Sequence, residues 1–409
     1  MPRVLGLRCR ECGSEYELQA THVCEMCFGP LDVVYDYAAI KKRISRQSIE
    51  AGPPSMWRYR DLLPVEDDAP VVTLGEGFTP LIKADRLGAE LGLKNLYLKN
   101  DTMNPTNSFK DRVVSVAVSW ARAHGFETIA CASTGNLANS VAAYAARAGL
   151  ECFVFMPDDI EAAKVVSTGV FEPNIVAVRG NYDDVNRLCS QLMESYPWAF
   201  CNINIRPFYA EGSKTLTFES AEQLGWRLPD EIVIPIASGC QFVRHRRAAQ
   251  ELIELGLVKS DRLPAFTGAQ ALGCSPVYNA WKDGTDRVNP VRPNTIARSI
   301  AIGNPSDGTY VVRIAKETGG VVEAVTEEEI VDAIRLLART EGIFTETAGG
   351  VTVGVLAKLA RAGRWNGDET IVAYITGHGL KTSEVVAGPN PRRVEIDASM
   401  KSFREVVSV

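Results

Sequence analysis

The sequence predicts an α/β protein with parallel sheets, preceded by a small cysteine-bearing knuckle. Three observations carry that expectation. From about residue 60 onward, short apolar runs alternate with amphipathic segments, the pattern of buried parallel strands covered by helices on both faces. Several of the helical segments close on a glycine, as at Gly125, Gly149, Gly256 and Gly342. The chain has 409 residues, 46% of them hydrophobic and 23% charged, which is enough for two or three domains with sizeable cores.

The knuckle comes first, over residues 1–40. Cys9, Cys12, Cys24 and Cys27 spell C-x2-C-x11-C-x2-C, a spacing that brings four thiolates together for tetrahedral zinc in a segment with little core of its own. The alternative is an unmetallated ribbon with reduced thiols. His22 is a weaker ligand candidate than any of the four cysteines. Four protein ligands leave no open metal position, so the module reads as a scaffold and not as a catalytic centre. The other six cysteines (Cys131, Cys152, Cys189, Cys201, Cys240 and Cys274) sit in apolar surroundings and read as buried, reduced thiols. Cys240, in a glycine-containing loop, is the exception.

The alternation then runs in order. "NLYLKND" (95–101) reads as a strand and "NSFKDRVVSVAVSWARAHG" (107–125) as a helix. "TIACAS" (128–133), "GNLANSVAAYAARAG" (135–149) and "ECFVFMP" (151–157) give strand, helix, strand. "NIVAVRG" (174–180), "NYDDVNRLCSQLMESY" (181–196) and "AFCNIN" (199–204) repeat the rhythm. "EIVIPIASG" (231–239), "CQFVRHRRAAQELIELG" (240–256), "AFTGAQA" (265–271), "TEEEIVDAIRLLARTEG" (326–342) and "TIVAYITGHG" (370–379) continue it. The tail from about 388 is polar.

Charge and hydropathy exclude some partners. A formal net charge of −6 argues against nucleic acid or a membrane surface. No run approaches 18 consecutive apolar residues, and "MPRVLGLRCRECG" lacks the apolar core of a signal peptide, so a cytoplasmic location is expected.

In α/β proteins, ligands gather where strand ends meet helix starts. Four segments have that form: "NPTNSFKDR" (104–112), "ASTGNLANS" (132–140), "IASGCQFVR" (236–244) and "YITGHGLK" (374–381). The third can cradle an anion on backbone N–H groups freed by Gly239, or be a plain turn. In the second, Ser133, Thr134 and Asn136 suit either anion contact or helix capping. Lys110 is either a solvated helix lysine or, beside Arg112 in a crevice, a lysine of lowered pKa able to act as nucleophile and base.

Together these segments resemble the fold-type II family of pyridoxal 5′-phosphate enzymes, and within it the threonine synthase branch. The resemblance extends through "GEGFTPL", "IRPFYAEGSKT", "GAQALGCSP", "AIGNPSDG", "TETAGGV" and "TGHGLK". It implies two doubly wound parallel-sheet domains: a large one from 60–124 and 206–390, and a small mobile one over 125–205, with a tail at 391–409. It also implies that Lys110 carries the cofactor covalently and that Asn136 bonds its phenolic oxygen. Ala237, Ser238, Gly239, Cys240 and Gln241 would hold its 5′-phosphate, and Thr376 would face its pyridine nitrogen. Ser133 and Thr134 would lie near the substrate carboxylate.

The implied reaction turns O-phospho-L-homoserine and water into threonine and phosphate. Phosphate leaves the γ-carbon, water adds at the β-carbon, and Lys110 moves the protons. The leaving phosphate needs cations of its own: Arg206 and Lys214 are the candidates, with Asn204, Ser213 and Ser108 as donors. For Arg206 a surface ion pair is the alternative. The family is commonly homodimeric.

This chain departs from the family's pattern at Asn107, where glycine or histidine is usual, and at Leu137, where a threonine often follows the Ser-Thr-Gly-Asn phrase. Its Ser-Gly-Cys-Gln loop also differs from glycine- and asparagine-rich relatives. Two competing readings follow: β-elimination or β-replacement on phosphoserine, serine or threonine with the same cofactor, and a non-catalytic paralogue acting as an interaction protein.

Overall fold

Thirteen strands in three sheets organise the described residues of the computed structural model, which are 3–133, 135–160, 162–180, 182–387 and 394–406. In chain order they are β1 (Val4–Cys9), β2 (Glu15–Tyr16), β3 (Leu31–Tyr35), β4 (Leu81–Lys83), β5 (Asn95–Asn100), β6 (Thr128–Ala132) and β7 (Glu151–Pro157). They continue as β8 (Asn174–Val178), β9 (Ala199–Phe200), β10 (Glu231–Pro235), β11 (Ala265–Ala271), β12 (Val322–Val325) and β13 (Thr370–Ile375).

The knuckle is a three-stranded antiparallel sheet in the order β2-β1-β3, with Leu7 opposite Val33 and Cys9 opposite Leu31. Leu7, Leu31 and Val33 are buried in the same apolar cluster as Val113, Val114 and Ala117 of the helix Lys110–Ala123. The knuckle therefore shares a core with the rest of the chain, which a segment of that length could not supply alone.

The six-stranded sheet has the order β12-β11-β10-β13-β5-β4, parallel except for the edge pairing of β4 with β5. The four-stranded sheet, β8-β7-β6-β9, is wholly parallel. All residues of β6 and β10 are buried, as parallel strands covered on both faces require.

Among the predicted elements that are shorter in the structure, two have a clear local reason. The strand beginning at Ala199 stops at Phe200, because Asn204 Oδ1 accepts the Phe200 N–H at 2.8 Å and turns the chain. The helix expected from Asn107 begins at Lys110. Asn107 has φ +61°, a left-handed conformation that asparagine tolerates better than most residues, and Ser108 is bridged to Gly377. The departure at position 107 thus keeps the backbone shape that a glycine would allow.

The carboxyl ends of β5, β6, β10 and β13 face one region. Phe109 N donates to Thr376 O at 2.9 Å, His378 N to Asn107 O at 3.0 Å, and Glu346 N to Gly377 O at 2.9 Å. Three loops far apart in sequence are stitched together there, at the kind of strand-end crevice where α/β sheets bind ligands.

Candidate active site

A cavity of about 220 Å³ opens at these strand ends. Its wall includes Lys110, Asn136, Tyr209, Gly239, Glu346 and Thr376. Lys110 is the first residue of its helix, and its Nζ donates to the Tyr209 hydroxyl at 3.0 Å. Burial pushes this amine down to about 8, against the smaller opposing pull of Cys240 and Glu346. The neighbours predicted to influence it are engaged elsewhere. Arg112 is fully buried against Asp101 and Glu219, and Asp111 accepts from Thr106 and Ser140. Desolvation, and not the adjacent arginine, is what lowers the Lys110 amine.

The residues 237–241 all line the cavity. Gly239 sits at φ +88° ahead of the helix Cys240–Glu254, and a Cβ there would meet Val311 Cγ2 at 2.9 Å and Asp307 at 3.0 Å. No acidic residue occupies that helix's first turn; the Cys240 N–H makes a long bond to Ser238 Oγ at 3.4 Å, and the positive dipole end of the helix faces the cavity wall, as an anion site requires. Cys240 is part of this loop; burial raises its thiol pKa, so it is no ready nucleophile.

Asn136 begins the helix Asn136–Ala148, and its Nδ2 donates to Glu346 Oε1 at 2.8 Å and Oε2 at 2.9 Å. Gly377 is shaped to this pair, since a Cβ there would lie 2.3 Å from Glu346 Oε1. Ser133 lines the cavity, but its Oγ accepts from Gly135 N and Ala138 N at 3.1 and 2.9 Å, the capping alternative. Thr134 lies outside the described residues. Leu137 is in the wall, an apolar contact where a hydroxyl was the family pattern.

The residues predicted to hold a leaving phosphate divide. Arg206 and Ser213 line the cavity, and Arg206 Nη2 donates to Ser306 Oγ at 2.9 Å and pairs with Asp307. Lys214, Asn204 and Ser108 are not among the residues of the cavity wall. Lys214 is wholly buried between Glu211 and Glu251, at 2.7 and 2.9 Å. Both hydrogen-bonding ends of the Asn204 side chain hold the turn after β9, at Phe200 N and Trp198 O. Ser108, itself bridged to Gly377, is fully buried, and its Oγ has no protein partner.

Tyr209, Glu346, Ser299 and Ser306 are wall residues that residue-type reasoning passed over. Three of them stand inside phrases that carry the family resemblance, "IRPFYAEGSKT", "TETAGGV" and "AIGNPSDG", which was the available signal. Ser299 Oγ is buried without a partner, and so is open to a ligand.

At the knuckle, the Sγ atoms of Cys9, Cys12, Cys24 and Cys27 lie within 4.8 Å of one another, with Cys9–Cys27 at 3.4 Å and Cys12–Cys24 at 3.5 Å. A tetrahedral zinc with sulfur ligands at about 2.3 Å spaces the sulfurs at about 3.8 Å, so the cluster fits that ion. His22 belongs to a different place, a small cavity it shares with Arg206 and Asp307.

Comparison with known proteins gives concordant results. The family of pyridoxal-phosphate dependent enzymes matches residues 72–377. Threonine synthase of Methanocaldococcus jannaschii is 38% identical over 403 residues, covering 98% of each chain. Threonine synthase of Methanosarcina acetivorans is 40% identical over 404 residues, again covering 98% of each. Among solved structures, the processed form of threonine deaminase isoform 2 from Solanum lycopersicum superposes with a TM-score of 0.63 at 20% identity, covering 82% of this chain and 96% of that one. Maize serine racemase also gives 0.63, at 19% identity over 75% and 90% of the two chains. Likeness at that identity speaks to the fold.

Proposed function

The chain belongs to the pyridoxal-phosphate-dependent enzymes and, among them, to the threonine synthases, and from that premise we propose a task for each wall of the cavity. The reaction takes O-phospho-L-homoserine and water to L-threonine and phosphate. When bound, pyridoxal 5′-phosphate supplies an electron-withdrawing ring at the substrate's α-carbon.

Lys110 would hold the cofactor, and its amine is the base within reach of the cavity. A tethered amine with pKa near 8 is neutral often enough near pH 7 to take a proton and acidic enough to return it. The Tyr209 hydroxyl, 3.0 Å away, orients that amine between transfers. Asn136, whose amide nitrogen donates to Glu346, would serve the phenolic oxygen. The loop 237–241 would hold the 5′-phosphate at the start of its helix, and Thr376 would serve the pyridine nitrogen. A neutral hydroxyl there leaves the ring nitrogen without an enforced proton.

Arg206, with Ser213 and Ser306 beside it, takes the substrate's own phosphate. With Leu137 in the wall in place of a hydroxyl, recognition of that anion falls to Arg206. The observation that carries this reading is a buried lysine amine sharing one cavity with an asparagine amide, a threonine hydroxyl and a glycine-cradled helix start. Incubation with O-phospho-L-homoserine and analysis of products tests it: threonine and phosphate in equal amounts are expected. Turnover of phosphoserine with no threonine formed from phosphohomoserine would assign the site to β-replacement.

The four-cysteine knuckle is proposed to hold one structural zinc, on the strength of its sulfur spacing. No helix among the described residues is long and apolar enough to cross a membrane. Family membership supports reading the protein as a cytoplasmic homodimer whose segment 125–205 closes over substrate, a state that sizing in solution with and without substrate examines.

A further inference from the structure

The knuckle and the cavity share one carboxylate. Asp307, whose side chain is 1% exposed, accepts from Arg10 Nη1 through Oδ1 at 2.8 Å and from Arg206 Nη2 through Oδ2. Arg10 lies between Cys9 and Cys12, 297 residues from Asp307 in sequence. Its other nitrogens are fixed as well: Nε and Nη2 bond the two oxygens of Asp32 at 3.0 and 2.7 Å. Its guanidinium lies 4.5 Å over the Tyr310 ring, and the adjacent Glu11 accepts from the Tyr310 hydroxyl. The cysteine loop is thus clamped to the segment 307–310, directly behind the cavity.

A carboxylate buried against a single guanidinium forms a closed pair that has little left for an incoming anion. Here the pair is opened from behind. The row Arg206, Asp307, Arg10, Asp32, Arg244 alternates in charge and runs on from Arg244 into Glu211, so Asp307 is shared between two guanidiniums and not closed on Arg206 alone. Arg206 stands at the cavity end of that row, with its side chain 18% exposed.

We propose that Arg10 is a positioning residue for the substrate's phosphate, dividing the charge of Asp307 so that Arg206 keeps its attraction for an anion in the cavity. The proposal rests on Arg206 as the phosphate ligand, as read above. It gives the knuckle a task beyond scaffolding: the CxxC loop is the mount that carries Arg10 to Asp307. An arginine suits this place because its planar fork serves two carboxylates at once.

The test compares Arg10→Met, Arg10→Lys, the double variant Arg10→Met with Asp307→Asn, and Arg206→Ala. It reads kcat and KM for O-phospho-L-homoserine, the inhibition constant of inorganic phosphate, and the visible spectrum of bound cofactor. Arg10→Met is expected to raise KM and the phosphate inhibition constant about ten-fold, with kcat and spectrum little changed. Arg10→Lys should recover part of this loss. Adding Asp307→Asn should also recover part, because the charge that neutralises Arg206 is then gone. If Arg206→Ala raises both constants while Arg10→Met leaves them unchanged, the inference falls and the reading of Arg206 stands. If Arg206→Ala leaves phosphate inhibition unchanged, the reading of Arg206 falls and takes the inference with it. A loss of kcat or of the cofactor spectrum in Arg10→Met that neither recovering variant reverses would show a merely structural arginine and overturn the proposal.

Discussion

Lys214 is wholly buried between Glu211 and Glu251, at 2.7 and 2.9 Å, whereas Lys110 Nζ meets a tyrosine hydroxyl at 3.0 Å and faces a cavity. Both lysines begin helices, Lys110–Ala123 and Lys214–Gln223, and both follow a serine- or glycine-containing loop. The difference lies in what folds back onto each amine. Two carboxylates hold Lys214 in place as a structural cation. Lys110 has lost water without gaining a carboxylate at bonding distance, so the neutral amine is favoured. One surrounding makes a lysine inert and the other makes it a base.

The strongest way to break this comparison is to remove each amine in turn. Lys110→Ala should lower turnover by about a thousand-fold or more and abolish the visible band of lysine-bound cofactor in a folded protein. Lys214→Met should keep that band while leaving Glu211 and Glu251 short of a buried partner, at about 3–5 kcal/mol of stability measured by denaturant unfolding. A retained band in the first variant, or a lost one in a folded second, would reverse the two assignments.

Next in size is Arg206→Ala. It should raise KM for the phosphorylated substrate about ten- to a hundred-fold, with a much smaller effect on the affinity for pyridoxal phosphate, as the proposed division between Arg206 and the helix start at Cys240 requires. Equal losses would mean that the sites are merged.

The pH dependence sharpens the contrast further. The Lys110 amine is pushed down to about 8 from an ordinary 10.5, and only the neutral amine attacks an aldehyde. Capture of pyridoxal phosphate by cofactor-free protein should therefore rise about ten-fold per pH unit below 8 and level off above it. A solvated lysine would keep gaining to about 10.5. The protonation sign also bears on stability: the native state sheds this proton before the unfolded state does, so stability rises with pH between about 8 and 10.5.

Smallest in catalytic effect is the knuckle metal. Purified protein should contain about one zinc per chain, and Cys12→Ser should lower that content while leaving the visible band of bound cofactor in place.

Much of the fold was readable in advance. "ECFVFMP" and "AFTGAQA" form strands with the predicted bounds; in the first, a short apolar run between turn residues has few other ways to be buried. Asn136, the loop 237–241 and Thr376 were readable as a group because strand-to-helix junctions collect at one end of a parallel sheet. Lys214, Asn204 and Ser108 fall outside the cavity wall for a common reason. Their partners, or the lack of them, depend on contacts that residue type does not disclose: Glu251 is 37 residues from Lys214, and Asn204 serves the backbone of its own turn. The pairing of Arg10 with Asp307, 297 residues apart, lay equally beyond any local pattern. Glu346 was in view inside "TETAGGV", but its bond to Asn136 spans 210 residues.

The central claim is that position 110 supplies the one amine that holds the cofactor. Reducing the cofactor-loaded protein with borohydride and mapping the peptide that bears the pyridoxyl group tests it most directly. The account predicts a single labelled site at Lys110, in the peptide containing "NPTNSFK". Label on Lys214 or on any other lysine, with Lys110 unmodified, would contradict it.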